Sequence, residues 1–149
     1  MKKQLLVIFC IAVSSAFYAQ TQRTPVFGLW QAEQKEITSM YFDTYEFLKD
    51  SSFVFRPNGY NGLNRITGIS GNYKIVRDTI FFFPKYTLEL VGGYPTRSMI
   101  TTEADSWEIT NAKVKKVFCK KTMQAAEFKF CPEEKCILID NRKFFLVEK

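Results

Sequence analysis

The sequence predicts an all-β protein, a single antiparallel up-and-down meander that closes into a barrel and contains at most one short helix. From Val26 onwards, apolar and polar residues alternate with the period of a strand, in short runs rich in Phe, Tyr, Ile, Val and Thr. Turn-forming residues separate these runs at regular spacing. The 149 residues suffice for one domain with one core. Barrel closure would remove the exposed edges of so many strands.

The first element in chain order is a secretory signal. Lys2 and Lys3 are followed by an apolar run at residues 5–13 and by small residues up to Ala19. The apolar run is well short of the roughly 20 residues that a membrane-spanning helix needs. We therefore expect a signal peptide at 1–19 and a single β-barrel domain at 20–149. We also expect a periplasmic or secreted location and no membrane span.

The alternating runs after the signal predict a series of short strands joined by turns. The predicted strands are residues 27–37, 41–48, 52–56, 63–68, 72–76, 79–83, 86–90, 97–101, 106–110, 113–119, 127–131, 136–139 and 143–147. The turns between them are Asp50-Ser51, Pro57-Asn58-Gly59, Ser70-Gly71, Arg77-Asp78, Gly92-Gly93, Asn111-Ala112 and Asp140-Asn141. Only residues 121–127 have a helix-like composition.

One segment resembles a known family. Gly28-Leu29-Trp30 is similar to the Gly-x-Trp start of lipocalins, and residues 26–83 resemble the small lipocalin-like domains of bacterial exported proteins. The matching pieces are Phe53-Val54-Phe55, Asn58-Gly59, Gly71-Asn72-Tyr73-Lys74-Ile75 and the apolar strand 79–83. The resemblance implies a barrel in which Gly28 and Trp30 are structural, with Trp30 closing the floor beside Arg142 or Lys143. The Thr-Asp-Tyr motif of lipocalins is absent, and the segment also resembles META-type secreted domains.

Aromatic residues are the candidates for a ligand site. Those on one face of their strands would point into the barrel, and an eight-stranded barrel is either filled by side chains or holds one small ligand. Lys116 shares a face with Val114 and Phe118, so inside the barrel it would need an anionic ligand or a carboxylate; otherwise the strand bulges or Lys116 reaches the rim. The candidate ligand-binding residues are Phe55, Tyr73, Phe82, Tyr86, Trp107 and Lys116.

The three cysteines after the signal suggest one disulfide. Cys131 and Cys136 flank a four-residue turn, Pro-Glu-Glu-Lys, and can face each other across a hairpin. Export would place them where disulfides persist. We therefore expect Cys131 and Cys136 to be bonded and Cys119 to be a buried, reduced thiol.

The positive charge is concentrated near the C-terminus. Residues 111–149 carry 10 basic and 5 acidic side chains, and Lys113, Lys115, Lys116, Lys120 and Lys121 account for much of the excess. Such a cluster can bind an anionic headgroup, a polysaccharide or an acidic protein surface, or it can protect a strand edge against aggregation. The sequence contains no nucleic-acid recognition motif.

The composition argues against an enzyme. The chain has no histidine, which excludes Ser-His and Cys-His nucleophile pairs and histidine-ligated metals. No phosphate-binding loop, metal-ligand constellation or nucleophile elbow is present. Glu103 with Asp105, and Asp43 with Glu46, are most simply surface carboxylates.

We therefore expect a monomeric, exported, non-catalytic binding protein without a cofactor or metal. It would take a small apolar or amphipathic ligand into its barrel. The alternative is a secreted or periplasmic protein-interaction module with a packed barrel, such as an inhibitor, an immunity-type protein or an envelope assembly factor.

Overall fold

The computed structural model describes residues 26–35, 42–97, 106–120 and 122–148, which form nine β-strands and no helix. The predicted signal peptide lies outside the described residues. The strands are β1 (Gly28–Ala32), β2 (Thr44–Phe47), β3 (Ser52–Arg56), β4 (Ile66–Val76), β5 (Thr79–Arg97), β6 (Trp107–Phe118), β7 (Gln124–Cys131), β8 (Cys136–Ile139) and β9 (Arg142–Leu146). The predicted all-β class is confirmed.

Eight of the strands close into an antiparallel barrel. β1 pairs with β2 and with β9, and the meander continues from β2 through β3 and β4 to β5. β5 pairs with β7, which leads through β8 back to β9. This closed antiparallel arrangement is compatible with a lipocalin-like fold.

The remaining strand, β6, lies outside the barrel. β5 is 19 residues long, and only its first part, at Thr79–Phe82, pairs with β7. Its second part runs from Tyr86 to Arg97 and pairs with β6. Residues 86–97 and 107–118 therefore form an extension, which we call the β5–β6 arm; its inner part, at residues 86–89, also pairs with β4.

Several predicted turns are irregularities within long strands. At Ser70-Gly71 the β4–β5 register shifts, while β4 continues to Val76. At Gly92-Gly93, β5 continues with φ values of 73° and 69°, and Asn111 opposite Gly93 has a φ of 56°. Glycine accepts this left-handed conformation without a steric cost, so the pair bends the arm without ending it.

The segment of helix-like composition, 121–127, forms a strand over much of the part that the structure describes. β7 begins at Gln124, and residues 124–127 pair with β5. Sheet pairing in the barrel wall overrides the local helix propensity of Gln and Ala here.

Aromatic rings fill the barrel interior. The ring of Tyr45 lies 4.7 Å from that of Phe55, 5.4 Å from Phe82 and 5.2 Å from Phe144, measured between centroids. The rings of Phe53 and Phe82 meet edge to face at 4.9 Å, a favoured arrangement of aromatic pairs. Of the two readings of the aromatic interior, the packed one describes this barrel.

Trp30 is buried in the core, in agreement with a structural role. Its Nε1 donates a hydrogen bond to the Val26 carbonyl at 2.7 Å, and its ring meets Phe130 edge to face. The β1–β9 register places Leu146 opposite Trp30, so Arg142, four residues away along β9, does not pack there as the resemblance implied. Instead, Arg142 pairs with Asp43 and Glu33, and Lys143 pairs with Glu134.

The expected disulfide is not formed. Cys131 and Cys136 do lie directly opposite each other across β7 and β8, as their spacing predicted, but both are free thiols. Burial raises the pKa of the Cys136 thiol to about 11, and its hydrogen bond with Cys131 adds to the shift. This environment disfavours the thiolate on which disulfide exchange depends. Cys119 is also a free thiol and is half-buried rather than fully buried.

Candidate functional site

The structure separates the predicted ligand-binding residues into two groups. Phe82 is a core residue, and Phe55 and Tyr73 pack against the core. Tyr86, Trp107 and Lys116 belong to the β5–β6 arm, outside the barrel. The six residues therefore do not line one cavity.

Lys116 is exposed on the arm and is not inside the barrel. Its Nζ lies 3.7 Å from the centre of the Tyr86 ring and 5.2 Å from that of Phe118. The β5–β6 register explains these contacts, because Tyr86 is opposite Phe118. Lys116 lies two residues before Phe118 on β6 and therefore on the same face. The ammonium group is thus held by cation–π attraction at a solvated site. The expected need for a buried counter-charge does not arise.

Side chains on the two faces of the arm differ in chemistry. Because successive residues of a strand point to opposite faces, the register groups the arm into two sets. The first set, which we call the apolar face, contains Tyr86, Leu88, Leu90, Val114, Lys116 and Phe118. The second set, the lysine face, contains Thr87, Glu89, Val91, Lys113, Lys115 and Val117.

Two side chains of the apolar face are strongly exposed. Phe118 is 75% exposed and Val114 is 62% exposed. Trp107 and Tyr94, at the outer end of the arm, are also exposed. The arm thus exposes several large apolar side chains along its length, and exposed apolar surface rimmed by polar residues can mark a binding site.

Lysines along β6 have no acidic partner within the part of the chain that the structure describes. Lys113, Lys115, Lys116 and Lys120 are exposed, and none of them takes part in the ion pairs found among those residues. Glu89 lies opposite Lys115, but its carboxylate accepts a hydrogen bond from the Thr87 hydroxyl at 2.5 Å. Among the described residues, the arm therefore carries exposed lysines that form no ion pair.

No described strand pairs with the outer edge of β6. Among the described strands, β6 pairs only with β5. The Cys119 N–H donates to the Lys85 carbonyl at 2.9 Å, and the alternation of an antiparallel ladder then turns the backbone groups of Val114, Lys116 and Phe118 away from β5. Near the start of β6, the Ile109 N–H donates to the Gly62 carbonyl, so a loop covers only that part of the edge.

A cleft lies beside the loop at residues 57–65 and the start of β4. This cleft has a volume of about 450 Å³. Leu29, Phe42 and Ile66 provide apolar surface, and Arg56 and three asparagines provide polar groups at its wall. It is open on the outside of the chain and is distinct from the packed barrel interior.

Asp43 is buried, contrary to its expected place on the surface. Its Oδ1 accepts hydrogen bonds from the backbone N–H of Asn58 at 2.6 Å and from the Asn58 amide at 3.0 Å, and its Oδ2 accepts one from Arg142. Arg142 also pairs with Glu33 at 3.1 Å. This network fixes the Pro57-Asn58-Gly59 turn beside the barrel rim.

Tyr45 is a titratable group whose pKa is affected by this network. Burial raises its pKa to about 12, and the negative charges of Asp43 and Asp140 act in the same direction. Its phenol is therefore neutral at physiological pH and is not poised for proton transfer.

The described residues contain no group of three or more metal-ligating side chains. Glu103 and Asp105 lie outside the described residues.

We expect Asp43→Ala to lower the free energy of unfolding by about 2 kcal/mol, because it removes hydrogen bonds to a buried charged group. Urea denaturation measures the change. The matched control is Glu46→Ala, whose carboxylate pairs with Arg56 at the surface and should contribute less than about 1 kcal/mol. Equal losses for the two variants would contradict the structural role of Asp43.

Comparison with family models, curated proteins and solved structures finds no match to this chain. Within its described residues, the protein has no helix that is long and apolar enough to cross a membrane. Its function therefore has to be inferred from its own surface.

Proposed function

We propose that this protein is a non-catalytic binding module, in which the packed barrel is a scaffold and the β5–β6 arm contacts a protein partner. One observation carries the proposal. The barrel interior is occupied by its own aromatic rings, whereas the arm outside it carries exposed apolar side chains beside lysines that form no ion pair with any described residue. A site for a partner is thus better supported on the arm than in the barrel.

The composition of the arm fits such a surface. Protein interfaces concentrate their binding energy in a few aromatic anchors, and Phe118, Trp107 and Tyr94 are exposed aromatic side chains. The lysines would steer an acidic partner and increase its association rate. The continuous strand β5 links this surface to the barrel wall, which holds it in a defined position.

The proposed place of action is outside the cytoplasm, in the periplasm or the medium. Support for it comes from the sequence, where residues 1–19 have the charge, apolar run and small residues of a secretory signal. The partner would then be an exported or envelope protein.

A small-ligand carrier is a second candidate, and the cleft beside residues 57–67 is the observation that favours it. Its volume of about 450 Å³ lies in the range of small-molecule sites, roughly 300–1,000 Å³. A carrier would therefore use this cleft and not the barrel interior. Native mass spectrometry of protein purified from its own envelope would then show a bound small molecule.

The proposed function is tested by photo-crosslinking in the native host. A photoreactive phenylalanine analogue at Phe118 should give a defined protein adduct, and the double variant Lys113→Glu/Lys115→Glu should lose that adduct. The matched control carries the same analogue at Tyr60, which is as exposed as Phe118 but lies off the arm. Similar adducts from both positions, or none from Phe118, would overturn the proposal.

A further inference from the structure

We propose that the partner adds an extended segment to the free edge of β6, and that apolar and acidic residues alternate along this segment. The inference rests on the proposed function of the arm and specifies how the partner binds there. It concerns the edge at residues 112–118, beyond the part that the Gly62 loop covers.

Backbone geometry favours an added strand. Unpaired N–H and C=O groups along a strand edge form a ready template for another chain, and several peptide-binding domains use this mode of recognition. On β6 the backbone groups of Val114, Lys116 and Phe118 face this open side, as deduced from the hydrogen bond between Cys119 and Lys85. An added segment would become a further strand of the sheet, next to β6 and on the side away from β5.

The two faces of the arm determine the sequence pattern of the segment. A strand beside β6 would place alternate side chains about 5 Å from their neighbours on each face. On one face those neighbours are Lys113 and Lys115. On the other they are Val114 and Phe118, with Lys116 between them and its ammonium group over the Tyr86 and Phe118 rings. Carboxylates match the first pair and apolar side chains match the second, so the partner should alternate between the two kinds.

The exposed apolar residues argue against a purely protective edge. Lysines alone can prevent edge-to-edge aggregation. However, β6 also exposes Val114 and Phe118, which would promote association rather than prevent it. The combination of positive charge and exposed apolar surface favours an acidic and apolar partner and disfavours a basic one.

The arrangement also argues against a flat anionic membrane as the main partner. Lys113 and Lys115 lie on the opposite face of the arm from Val114 and Phe118. A flat surface can contact only one face at a time, whereas a strand at the edge borders both. An acidic and apolar peptide segment therefore satisfies all four side chains together.

A synthetic heptapeptide with alternating Val and Glu tests this inference by titration calorimetry with the whole protein. It should bind, and a peptide of the same composition with its Val and Glu residues in separate blocks should bind on the order of tenfold more weakly. Methylation of the backbone nitrogens that face β6 should weaken binding similarly, because it removes edge hydrogen bonds. Lys113→Glu/Lys115→Glu should abolish binding, and Lys129→Glu, an exposed lysine on β7, should not change it.

The outcomes distinguish this inference from the proposed function. One outcome is that Phe118 gives its specific adduct while the alternating peptide does not bind, or binds no better than the block or methylated peptide. In that case the inference of an added strand is wrong, and the arm remains the interface. If Phe118 gives no adduct, the proposed function itself fails.

Discussion

Phe82→Ala is expected to lower the free energy of unfolding by about 3–5 kcal/mol, the range for removing a large aromatic side chain from a core. Phe82 is only 5% exposed. Its ring lies 4.9 Å from that of Phe53 and 5.4 Å from that of Tyr45, so truncation would leave a cavity in the middle of the barrel. Equilibrium denaturation by urea measures the loss.

The neighbouring residue provides the control for Phe82. Phe83 lies next to it on β5, on the opposite face, and is 38% exposed. Phe83→Ala should therefore cost about 1 kcal/mol or less. A stable Phe82→Ala protein that loses a bound small molecule would show instead that Phe82 lines a ligand cavity.

Trp30→Ala should have an effect of similar size, about 3–5 kcal/mol. The substitution removes the packing against Phe130 and leaves the Val26 carbonyl without the indole donor. The thermal midpoint and the urea midpoint should both fall.

Trp107→Ala is the matched control for Trp30, because it removes the same side chain from an exposed position on the arm. It should change stability by about 1 kcal/mol or less. If Trp30→Ala and Trp107→Ala were equally stable, Trp30 would have no structural role in closing the barrel.

Period-two alternation was sufficient to predict the fold class, because one face of each barrel strand must be buried. β3 and β8 have the predicted bounds, at Ser52–Arg56 and Cys136–Ile139. The turns at Asp50-Ser51 and Asp140-Asn141 also join strands as predicted, since Ser51, Asp140 and Asn141 adopt the positive φ values that tight turns need. The local sequence was therefore sufficient to predict these strands and turns.

The arm could not be predicted, because a bend within a strand and a turn between strands use the same residues. Gly92-Gly93 has the composition of a turn, but β5 continues through it. β5 continues through this glycine pair because β6 pairs with it beyond the pair. That pairing joins residues that are distant in sequence, so the local sequence does not predict it. The predicted division of β5 and β6 into shorter strands failed for this reason.

The candidate site was partly predictable. The lysine cluster on β6 was evident from the sequence, and the same alternation placed Val114, Lys116 and Phe118 on one face. The buried network of Asp43 left no sequence signal, since Arg142 lies 99 residues away. Composition also could not show that β6 lies outside the barrel. The location of Lys116 could not be predicted for the same reason, because Lys116 lies on β6.

The continuity of β5 has a consequence for local opening of the protein. Its first part is held between β4 and β7, whereas beyond Leu90 its described partner strand is β6 alone. Regions with fewer packed neighbours open at lower free energy than the core does, so resistance to hydrogen exchange should decline along this one strand from the barrel to the bend at Gly92. A partner bound at the outer end would restrict these fluctuations. Its effect on local opening would extend along the same backbone as far as the barrel wall.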